Sequence, residues 1–254
     1  MAVLRDKVAI VKGSANGIGK EITLTFAKEG EKVVIADYNV EALNEIVKEI
    51  NDSGFTAFGL QVNVSEQEAV ENMIQQAIDP FEKVDILVNN AGVGDQMQAA
   101  ANVENATWER VMNINKNGVM YGIRSISKHF EQTGGGPIIN RSSLSGVQGG
   151  RDGFTYTAAK HAFVGMTKNV ASHYSPLNIR CNAIARGNVE TPFAKNNFTN
   201  IDQFGMQQAL RVVDMMTKSA TPDEIANIAL FLASEQATIL NGVVIQADGG
   251  WSAY

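Results

Sequence analysis

The sequence predicts an α/β fold in which a doubly wound parallel sheet carries helices on both faces. Short apolar runs alternate with longer segments of helical period as far as residue 246. Some runs, such as residues 8–11, are apolar throughout, which is typical of strands covered on both faces. Regular alternation of strands and helices indicates crossovers between parallel strands. No linker, low-complexity run or repeat interrupts residues 1–254, so we expect a single domain.

The hydrophobic periods place the elements in order. The strand-like runs are residues 8–11, 33–36, 57–62, 84–88, 137–140, 179–184 and 243–246. Apolar residues recur at intervals of three and four in the helical segments 18–26, 42–50, 69–77, 104–131 and 155–174. A last helix begins at Thr221-Pro222-Asp223-Glu224, which is a capping box with proline at the first helical position.

Residues 193–217 do not follow this alternation. They contain three phenylalanines and three methionines among polar residues, without a clean strand. Methionine adapts to irregular apolar shapes, so we expect a short helical flap over a cleft, with Phe204 touching the substrate. An ordinary pair of surface helices is the alternative interpretation.

Composition and charge exclude several functional classes. With 21 basic and 27 acidic residues, the formal net charge of −6 argues against a nucleic-acid surface or a polybasic membrane patch. One cysteine and three scattered histidines form no pattern of metal ligands. No apolar run approaches the ~18 residues of a membrane span, and no signal peptide precedes the first strand. We expect a cytoplasmic protein with no metal, no nucleic-acid partner and no membrane partner.

A glycine-rich turn separates the first strand from the first helix. Gly13, Gly17 and Gly19 occupy positions 1, 5 and 7 of segment 13–19. Glycine lets the backbone approach a pyrophosphate, and the N–H groups of a helix N-terminus then bind the anion. Alone this signal is weak, because any tight strand-to-helix turn can carry glycine.

Asp37 strengthens the interpretation of a dinucleotide site. It ends the second strand, 18 residues after Gly19, where a carboxylate can accept hydrogen bonds from the adenosine ribose. A carboxylate there also repels a 2′-phosphate and so favours NAD over NADP. Residues 89–92, Asn-Asn-Ala-Gly, end the fourth strand at the same edge of the sheet, where ligands of open α/β sheets bind.

Tyr156 and Lys160 are candidates for catalysis. Their spacing of four residues on a predicted helix puts both side chains on one face. A tyrosine hydroxyl titrates near ~10, and a neighbouring ammonium would lower that pKa until the group can exchange protons at neutral pH. Ser143 follows the fifth strand and precedes Tyr156 by thirteen residues, so the strand-loop-helix path can bring the two together.

In this combination and order, the sequence resembles the short-chain dehydrogenase/reductase family over the whole chain. The shared motifs are Gly13-x-x-x-Gly17-Ile18-Gly19, Asn89-Asn90-Ala91-Gly92, Asn115, Ser142-Ser143, Tyr156-x-x-x-Lys160, Asn182-Ala183-Ile184 and Asp248-Gly249-Gly250. The resemblance implies a Rossmann-type fold and hydride transfer between a nicotinamide and a carbinol or carbonyl carbon. It says little about the substrate.

The same resemblance implies roles for four catalytic residues. Tyr156 would be the general acid/base, and Ser143 would hydrogen-bond the substrate oxygen. Lys160 would bind the nicotinamide ribose and lower the pKa of the tyrosine. Asn115 would hold a water that links Lys160 to solvent. The implied cofactor-binding residues are Gly13, Asn16, Gly17, Ile18, Gly19, Asp37, Asn63, Val64, Asn90, Ala91, Gly92, Tyr156, Lys160, Val189 and Thr191.

Three positions depart from the family pattern. Lys12 stands where relatives usually have a threonine that ties the glycine turn to the neighbouring strand. Arg186 replaces a proline, and Asn63 replaces the aspartate beside the adenine amino group, to which an amide oxygen could still bond. We expect each change to make the cofactor cleft more positive by one charge; tolerated drift is the alternative.

The sequence therefore predicts an NAD-dependent oxidoreductase acting on a small neutral secondary alcohol or ketone. One alternative is an NADP-dependent 3-oxoacyl reductase. Another is a regulator that senses the dinucleotide without turnover, although such a protein would be expected to have lost Tyr156 or Lys160. By resemblance we also expect a homotetramer or homodimer, built through helices 104–131 and 155–174.

Overall fold

The computed structural model describes residues 4–193 and 200–253. Within these residues, seven strands form one sheet in the order β3-β2-β1-β4-β5-β6-β7, and every neighbouring pair is parallel. The strands are β1 (Val8–Lys12), β2 (Lys32–Asp37), β3 (Thr56–Gln61), β4 (Ile86–Asn89), β5 (Gly136–Arg141), β6 (Ile179–Arg186) and β7 (Val244–Ala247). The doubly wound fold class is confirmed, and each predicted strand lies within two residues of an observed one.

Helices cover both faces of the sheet. They are α1 (Gly17–Lys28), α2 (Val40–Asp52), α3 (Gln67–Ile78), α4 (Asn105–Val111), α5 (Gly118–Thr133), α6 (Phe154–Tyr174), α7 (Gln203–Leu210) and α8 (Pro222–Ala233). The side chains of β1 alternate between two cores: Ala9 and Val11 pack with α1 and α8, while Val8 and Ile10 pack with α3, α5 and α6. Burial on both faces explains why the strand is apolar throughout. None of the described helices is long and apolar enough to cross a membrane.

The long helix predicted over 104–131 is interrupted. A π-helical segment, Met112–Asn117, separates α4 from α5. π-Helical turns are rare and occur frequently at functional sites. Asn115 lies in this segment and is fully buried.

The predicted flap contains α7 and a short 3₁₀ turn, Val213–Met215, and its residues 194–199 lie outside the described ranges. Asp202 fastens α7 to the loop after β4. Its carboxylate accepts hydrogen bonds from the backbone N–H groups of Phe204 and Gly205, and also from the N–H of Ala99 and the amide of Asn102. One side chain therefore caps α7 and ties it to a neighbouring loop.

Candidate active site

A cavity of about 450 Å³ lies at the carboxyl ends of the strands. The strand order reverses between β1 and β4, and open α/β sheets bind ligands at such a switch point. Most of the predicted cofactor residues line this cavity: Gly13, Asn16, Gly17, Ile18, Gly19, Asp37, Asn63, Val64, Asn90, Ala91, Gly92 and Thr191. Val189 does not line it, because its side chain packs in the apolar core and its backbone pairs with Ala220.

The glycine turn has room for backbone only. Gly13 has a φ of 68°, and a Cβ there would lie 2.6 Å from Cα of Ala91. A Cβ on Gly19 would lie 2.1 Å from the carbonyl oxygen of Gly13. Asn16, the N-cap of α1, forms no side-chain capping hydrogen bond, so the N–H groups of the first turn are left for an anion. The turn fits a pyrophosphate.

Asp37 ends β2 beside this turn. Its carboxylate accepts hydrogen bonds from the N–H of Ala15 (2.9 Å) and the N–H of Asn39 (3.0 Å). Among the described residues that line the cavity, the only basic side chains are Arg141 and Arg186, which end β5 and β6. The end of the cavity near Asp37 therefore offers a carboxylate and no cation.

Ser14, which the sequence analysis did not single out, ties the glycine turn to β2. Its hydroxyl donates to the carbonyl of Val11 (2.6 Å) and accepts from the N–H of Ala36 (3.2 Å). This is the connection that a threonine at position 12 was expected to supply. Its sequence signal was a small hydroxyl residue directly after the first glycine.

Lys12 points away from the cavity, and its expected contribution to the charge of the cleft is wrong. It is 1% exposed, and its Nζ donates to the carbonyl oxygen of Gly118 at 2.7 Å. Burial lowers the pKa of Lys12 to about 7. Alternation along β1 directs this side chain to the same face as Val8 and Ile10, beneath α5.

Asn63 lines the cavity, but its amide is already engaged. Its Oδ1 accepts from the N–H (3.2 Å) and the hydroxyl (2.7 Å) of Ser65, and its Nδ2 donates to Glu66. Oδ1 of Asn63, which was expected to face an adenine amino group, therefore binds Ser65 of its own loop instead.

Two asparagines brace the loop after β4. Asn90 donates through Nδ2 to the carbonyl oxygens of Lys12 (3.2 Å) and Gly13 (2.6 Å). Asn115 donates to the carbonyl of Val93 and accepts from its N–H, both at 2.8 Å. The side chain of Asn115 therefore holds this loop, and its role in a water link to Lys160 stays a prediction.

Tyr156 and Lys160 share one face of α6, as predicted. Tyr156 is 2% exposed, and Nζ of Lys160 lies 5.4 Å from the centre of its ring. Nζ of Lys160 also donates to the carbonyl oxygen of Arg141 at 3.0 Å. The hydroxyl of Tyr156 is buried and has no hydrogen-bond partner among the described residues. Such a group is costly unless a ligand satisfies it.

Asp95, which the sequence analysis missed, positions Tyr156 through the backbone. Its carboxylate accepts from the N–H of Tyr156 (2.8 Å) and the N–H of Met97 (3.2 Å). It therefore caps α6 from a distant loop, where the N-cap residue Gly153 has no side chain to do so. No local sequence pattern marks a cap supplied across the fold.

Ser143 follows β5 and is connected to the half-buried carboxyl group of Asp152. Its Oγ lies 3.3 Å from the hydroxyl of Ser145 and accepts from the N–H of Ser145 at 3.2 Å. The hydroxyl of Ser145 in turn donates to Asp152. Burial raises the pKa of Asp152 to about 6.

The electrostatics around Tyr156 differ from the sequence hypothesis. Burial raises the pKa of Tyr156; the charges of Arg186 and Arg141 oppose this rise, while Asp152 and Asp95 add to it. Burial also lowers the pKa of Lys160 well below its ordinary value. The role of Lys160 as the cation that lowers the tyrosine pKa stays a prediction.

A second cavity of about 290 Å³ adjoins Ser143 and carries the flap on one side. Its lining is largely apolar, with Arg151, Asp152 and Arg186 as the charged members. The flap contributes Met206, Ala209, Leu210, Val213 and Met216. Phe204 is 58% exposed and is not part of this lining, so its contact with the substrate stays a prediction.

Within the described part of the chain, no three His, Cys, Asp or Glu side chains are grouped closely enough to hold a metal ion. A glycine turn at a switch point, an acidic residue ending β2 and a buried tyrosine-lysine pair together define a dinucleotide-dependent oxidoreductase site.

Comparisons with known proteins identify the family. A family model described as enoyl-(acyl carrier protein) reductase matches residues 13–252. A 3β-hydroxysteroid dehydrogenase of Eggerthella lenta is 43% identical over 99% of this chain and 97% of its own. A 3-oxoacyl-[acyl-carrier-protein] reductase of Thermotoga maritima is 32% identical over 97% of this chain and 98% of its own. The crystal structure of levodione reductase superposes with a TM-score of 0.91 at 29% identity, over 99% and 100% of the two chains.

The chain belongs to the short-chain dehydrogenase/reductase family. It is accordingly an oxidoreductase of a family that binds nicotinamide dinucleotides.

Proposed function

We propose that this protein is an NAD-dependent dehydrogenase that interconverts apolar, ring-containing secondary alcohols and their ketones, with 3-hydroxysteroids as the leading substrate class. The observation that carries this proposal is the apolar cavity beside Ser143, closed on one side by the methionines of the flap. The 43% identical relative is named for a 3β-hydroxysteroid, a substrate that such a cavity suits.

Tyr156 would serve as the general acid/base. In alcohol oxidation it would accept the hydroxyl proton while hydride leaves the carbinol carbon. Its buried hydroxyl, unpartnered among the described residues, is available to the substrate oxygen. Ser143 would donate a second hydrogen bond to that oxygen and stabilise the charge that develops there. Lys160 would contact the nicotinamide ribose, and Asn115 would hold the loop that closes the cleft.

The bound nicotinamide would supply hydride acceptance and donation. Backbone N–H groups at the start of α1 would hold its pyrophosphate, and Asp37 would accept hydrogen bonds from the adenosine ribose. Asp37 would also repel a 2′-phosphate, and no described basic side chain lies on the cavity wall near it to compensate. These features favour NAD over NADP.

An NADP-dependent 3-oxoacyl reductase is the second candidate. The description of the matching family model and the 32% identical relative favour it. Asp37 and the net charge of −6 speak against it, because the expected substrate is carried by an acidic protein and NADP is itself more anionic. A dinucleotide sensor without turnover is disfavoured because both Tyr156 and Lys160 are in place.

One panel of initial-rate measurements tests these candidates. A 3β-hydroxysteroid, its 3α epimer, cyclohexanol and a 3-oxoacyl thioester would each be assayed with both cofactors. We expect the highest kcat/KM for a ring alcohol with NAD. A preference for the thioester with NADPH would overturn the proposal, and absence of turnover with every pair would favour the sensor.

The cofactor assignment has its own test in Asp37→Ala. Loss of charge-assisted ribose hydrogen bonds should weaken NAD binding by about 1–3 kcal/mol and improve the relative use of NADP. Asp37→Asn is the matched control, since it keeps an acceptor but removes the charge. A wild-type protein that already prefers NADP would contradict the assignment.

We also propose assembly as a homodimer or homotetramer through α5 and α6 in the cytoplasm. A groove between these helices is lined by the partly exposed Met120 and Met166 and by the buried Ile123 and Val170. An apolar groove on a pair of surface helices favours an interface with a second subunit. Light scattering at micromolar concentration should give at least a dimer. A monomer would contradict the proposed assembly.

A further inference from the structure

Three polar side chains form a hydrogen-bonded chain beside the second cavity. Oγ of Ser143 and Oγ of Ser145 lie 3.3 Å apart, and the hydroxyl of Ser145 donates to the carboxylate of Asp152. Ser143 and Asp152 line the cavity, and the fully buried Ser145 connects them. The hydroxyl that would bind the substrate oxygen is therefore connected to a carboxyl group.

The directions of the two hydroxyl protons depend on the charge of Asp152. An ionised carboxylate can only accept hydrogen bonds, so the single proton of Ser145 points to Asp152. The contact between the two hydroxyls then requires Ser143 as the donor, because Ser145 has no second proton to give. While Asp152 is ionised, Ser145 and a substrate oxygen therefore compete for the one proton of Ser143.

Protonation of Asp152 reverses the chain. A protonated carboxyl group has an O–H donor, which can donate to Oγ of Ser145. Ser145 can then donate to Oγ of Ser143, which already accepts from the backbone N–H of Ser145 at 3.2 Å. The proton of Ser143 has no acceptor within the reversed chain and is left for a substrate oxygen.

We propose that Asp152 and Ser145 are positioning residues that set the direction of the Ser143 hydroxyl and so control how strongly Ser143 donates to the substrate oxygen. This inference rests on the proposed role of Ser143 in the interconversion of alcohols and ketones. In ketone reduction, the carbonyl carbon accepts hydride from the nicotinamide while its oxygen takes the proton of Tyr156. The hydrogen bond from Ser143 stabilises the negative charge on that oxygen, and the Ser143 proton stays on Ser143.

The surroundings of Asp152 make its charge change near neutral pH. Burial raises the pKa of Asp152 to about 6, although the hydrogen bond from Ser145 and the charge of Arg186 oppose the rise. The charged and titratable groups around Asp152 are Arg151 on the same cavity wall, Arg186 at the end of β6, Asp95 in the loop after β4, and Lys160 and Tyr156 on α6. Asp152 is protonated below its pKa, so ketone reduction should become slower as the pH rises through this value.

The pH profile of ketone reduction tests the proposal. In the wild type, kcat/KM should fall with a midpoint near 6, and by about tenfold in total because donation from Ser143 weakens. Asp152→Asn carries no charge, so at pH 8 its kcat/KM should be about tenfold higher than that of the wild type, without this midpoint. Ser145→Ala breaks the chain and should also remove the midpoint. A wild type without the midpoint, or an Asp152→Asn variant that keeps it, would overturn the proposal.

Ser145→Ala also separates the chain from a direct charge effect. Asp152 raises the pKa of Tyr156, and its charge could act on Tyr156 without any hydrogen bond through Ser145. A midpoint that disappears in Asp152→Asn but persists in Ser145→Ala would identify this direct effect and overturn the proposal.

Asp214→Asn is the matched control. Asp214 is exposed on the flap, in the turn Val213–Met215, and its neighbour Val213 lines the same cavity. The variant loses the same charge near the cavity, but the chain from Ser143 to Asp152 stays intact. It should keep the wild-type midpoint. Loss of the midpoint in Asp214→Asn would overturn the specific role of Asp152 in favour of general charge.

Titration of the Asp152 carboxyl group in the cofactor-free protein gives a readout that needs no turnover. The carboxyl carbon would be followed by NMR, with Asp152→Asn used to assign its signal. The hydrogen bond from Ser145 lowers the pKa of Asp152, so Ser145→Ala should raise the midpoint by about half a pH unit or more. Ser143→Ala should raise it by less, because donation from Ser143 strengthens the hydrogen bond of Ser145.

Midpoints of Asp152 that stay unchanged in Ser145→Ala and Ser143→Ala would overturn the hydrogen-bonded chain. Failure of the proposed function would look different. It would show as an absence of ketone reduction in the wild type at every pH, whereas the carboxyl titration would still support or overturn the chain.

Discussion

Buried ionisable groups occur in two places in this molecule, and burial has different consequences in each. At the carboxyl edge of the sheet, Arg141 lines the proposed cofactor cavity. Tyr156 and Lys160 are buried on α6 and line neither cavity, but Nζ of Lys160 donates to the carbonyl of Arg141. Away from the cavities, Lys12 lies under α5 and Glu31 lies just before β2 at the opposite edge. The first group is placed to gain partners if the proposed ligands bind, whereas Lys12 and Glu31 line neither cavity. For Lys12 and Glu31, we therefore expect desolvation to act only as a cost to stability.

Glu31 shows this cost most clearly. It is 2% exposed, and neither carboxylate oxygen has a hydrogen-bond partner among the described residues. Burial and the nearby Asp85 raise the pKa of Glu31 well above its ordinary value of 4.5, and Lys7 only partly opposes them. The folded protein therefore keeps a proton on Glu31 up to a higher pH than the unfolded chain does.

The largest expected effect is on kcat and comes from Tyr156, one of the buried groups at the carboxyl edge of the sheet. Tyr156→Phe should lower kcat about 10²- to 10⁴-fold, because it removes the oxygen that exchanges the proton. NADH affinity, measured by fluorescence titration, should stay within about threefold. Tyr174→Phe on the same helix is the control and should keep normal turnover. Near-normal kcat in Tyr156→Phe would exclude this residue as the acid/base.

Lys12→Met should stabilise the protein by about 2–4 kcal/mol at pH 6, because the variant no longer buries an ammonium. The pKa of Lys12 is 10.5 when unperturbed and about 7 in the fold. The unfolded chain therefore binds more protons between these values, and wild-type stability rises with pH across this window. Urea unfolding should show the advantage of the variant shrinking from pH 6 to pH 9.

Lys20→Met is the control for that measurement, since Lys20 is a partly exposed residue paired with Glu49. Its stability should change by less than about 0.5 kcal/mol. A destabilised Lys12→Met variant would mean that the hydrogen bond from Lys12 to Gly118 stabilises the fold by more than the burial of the ammonium destabilises it. Burial of an ionisable group away from the cavities would then not be a net cost to stability.

Glu31→Gln should stabilise the protein by about 1–3 kcal/mol at pH 7. The folded pKa is raised, so the folded state binds more protons and wild-type stability falls as pH rises above 4.5. The advantage of the variant should be small near pH 4.5 and grow toward neutrality, as followed by thermal unfolding. The exposed substitution Glu45→Gln should show no such trend. Equal effects at both pH values would argue that Glu31 is not protonated in the fold.

The smallest effect is expected at the flap, where polar contacts are exposed and not buried. Asp202→Ala removes the cap of α7 and its tie to Ala99, which should raise the KM for the alcohol about three- to tenfold with little change in kcat. Hydrogen exchange across 203–210 should become faster. Asp202→Asn keeps a hydrogen-bond acceptor, so its KM and its exchange rate should lie between those of the wild type and those of Asp202→Ala. An unchanged exchange rate in Asp202→Ala would show that the hydrogen bonds of Asp202 do not hold the flap in place.

Much of the cofactor side could be predicted from sequence alone. The period of the apolar residues determined the order of strands and helices, because burial on two faces leaves a continuous apolar run. Gly13 and Gly19 were readable because only glycine fits where two backbones nearly touch. The Tyr156–Lys160 pair was readable because helical spacing sets the shared face. Each of these features depends on residues close together in the chain.

Only the tertiary structure decided the electrostatics. The sequence analysis expected Lys12 to add a positive charge to the cofactor cleft. The alternation of side chains along β1 instead directs Lys12 into the core. Arg141, Asp95 and Ser14 act on groups that are distant in sequence, through contacts that no local pattern records. A pKa depends on burial and on charges from every neighbouring element, and these are properties of the packed fold. The sequence by itself determined which chemical groups are present and which helix face carries Tyr156, and the fold decided how deeply that side chain is buried and which charged groups act on it.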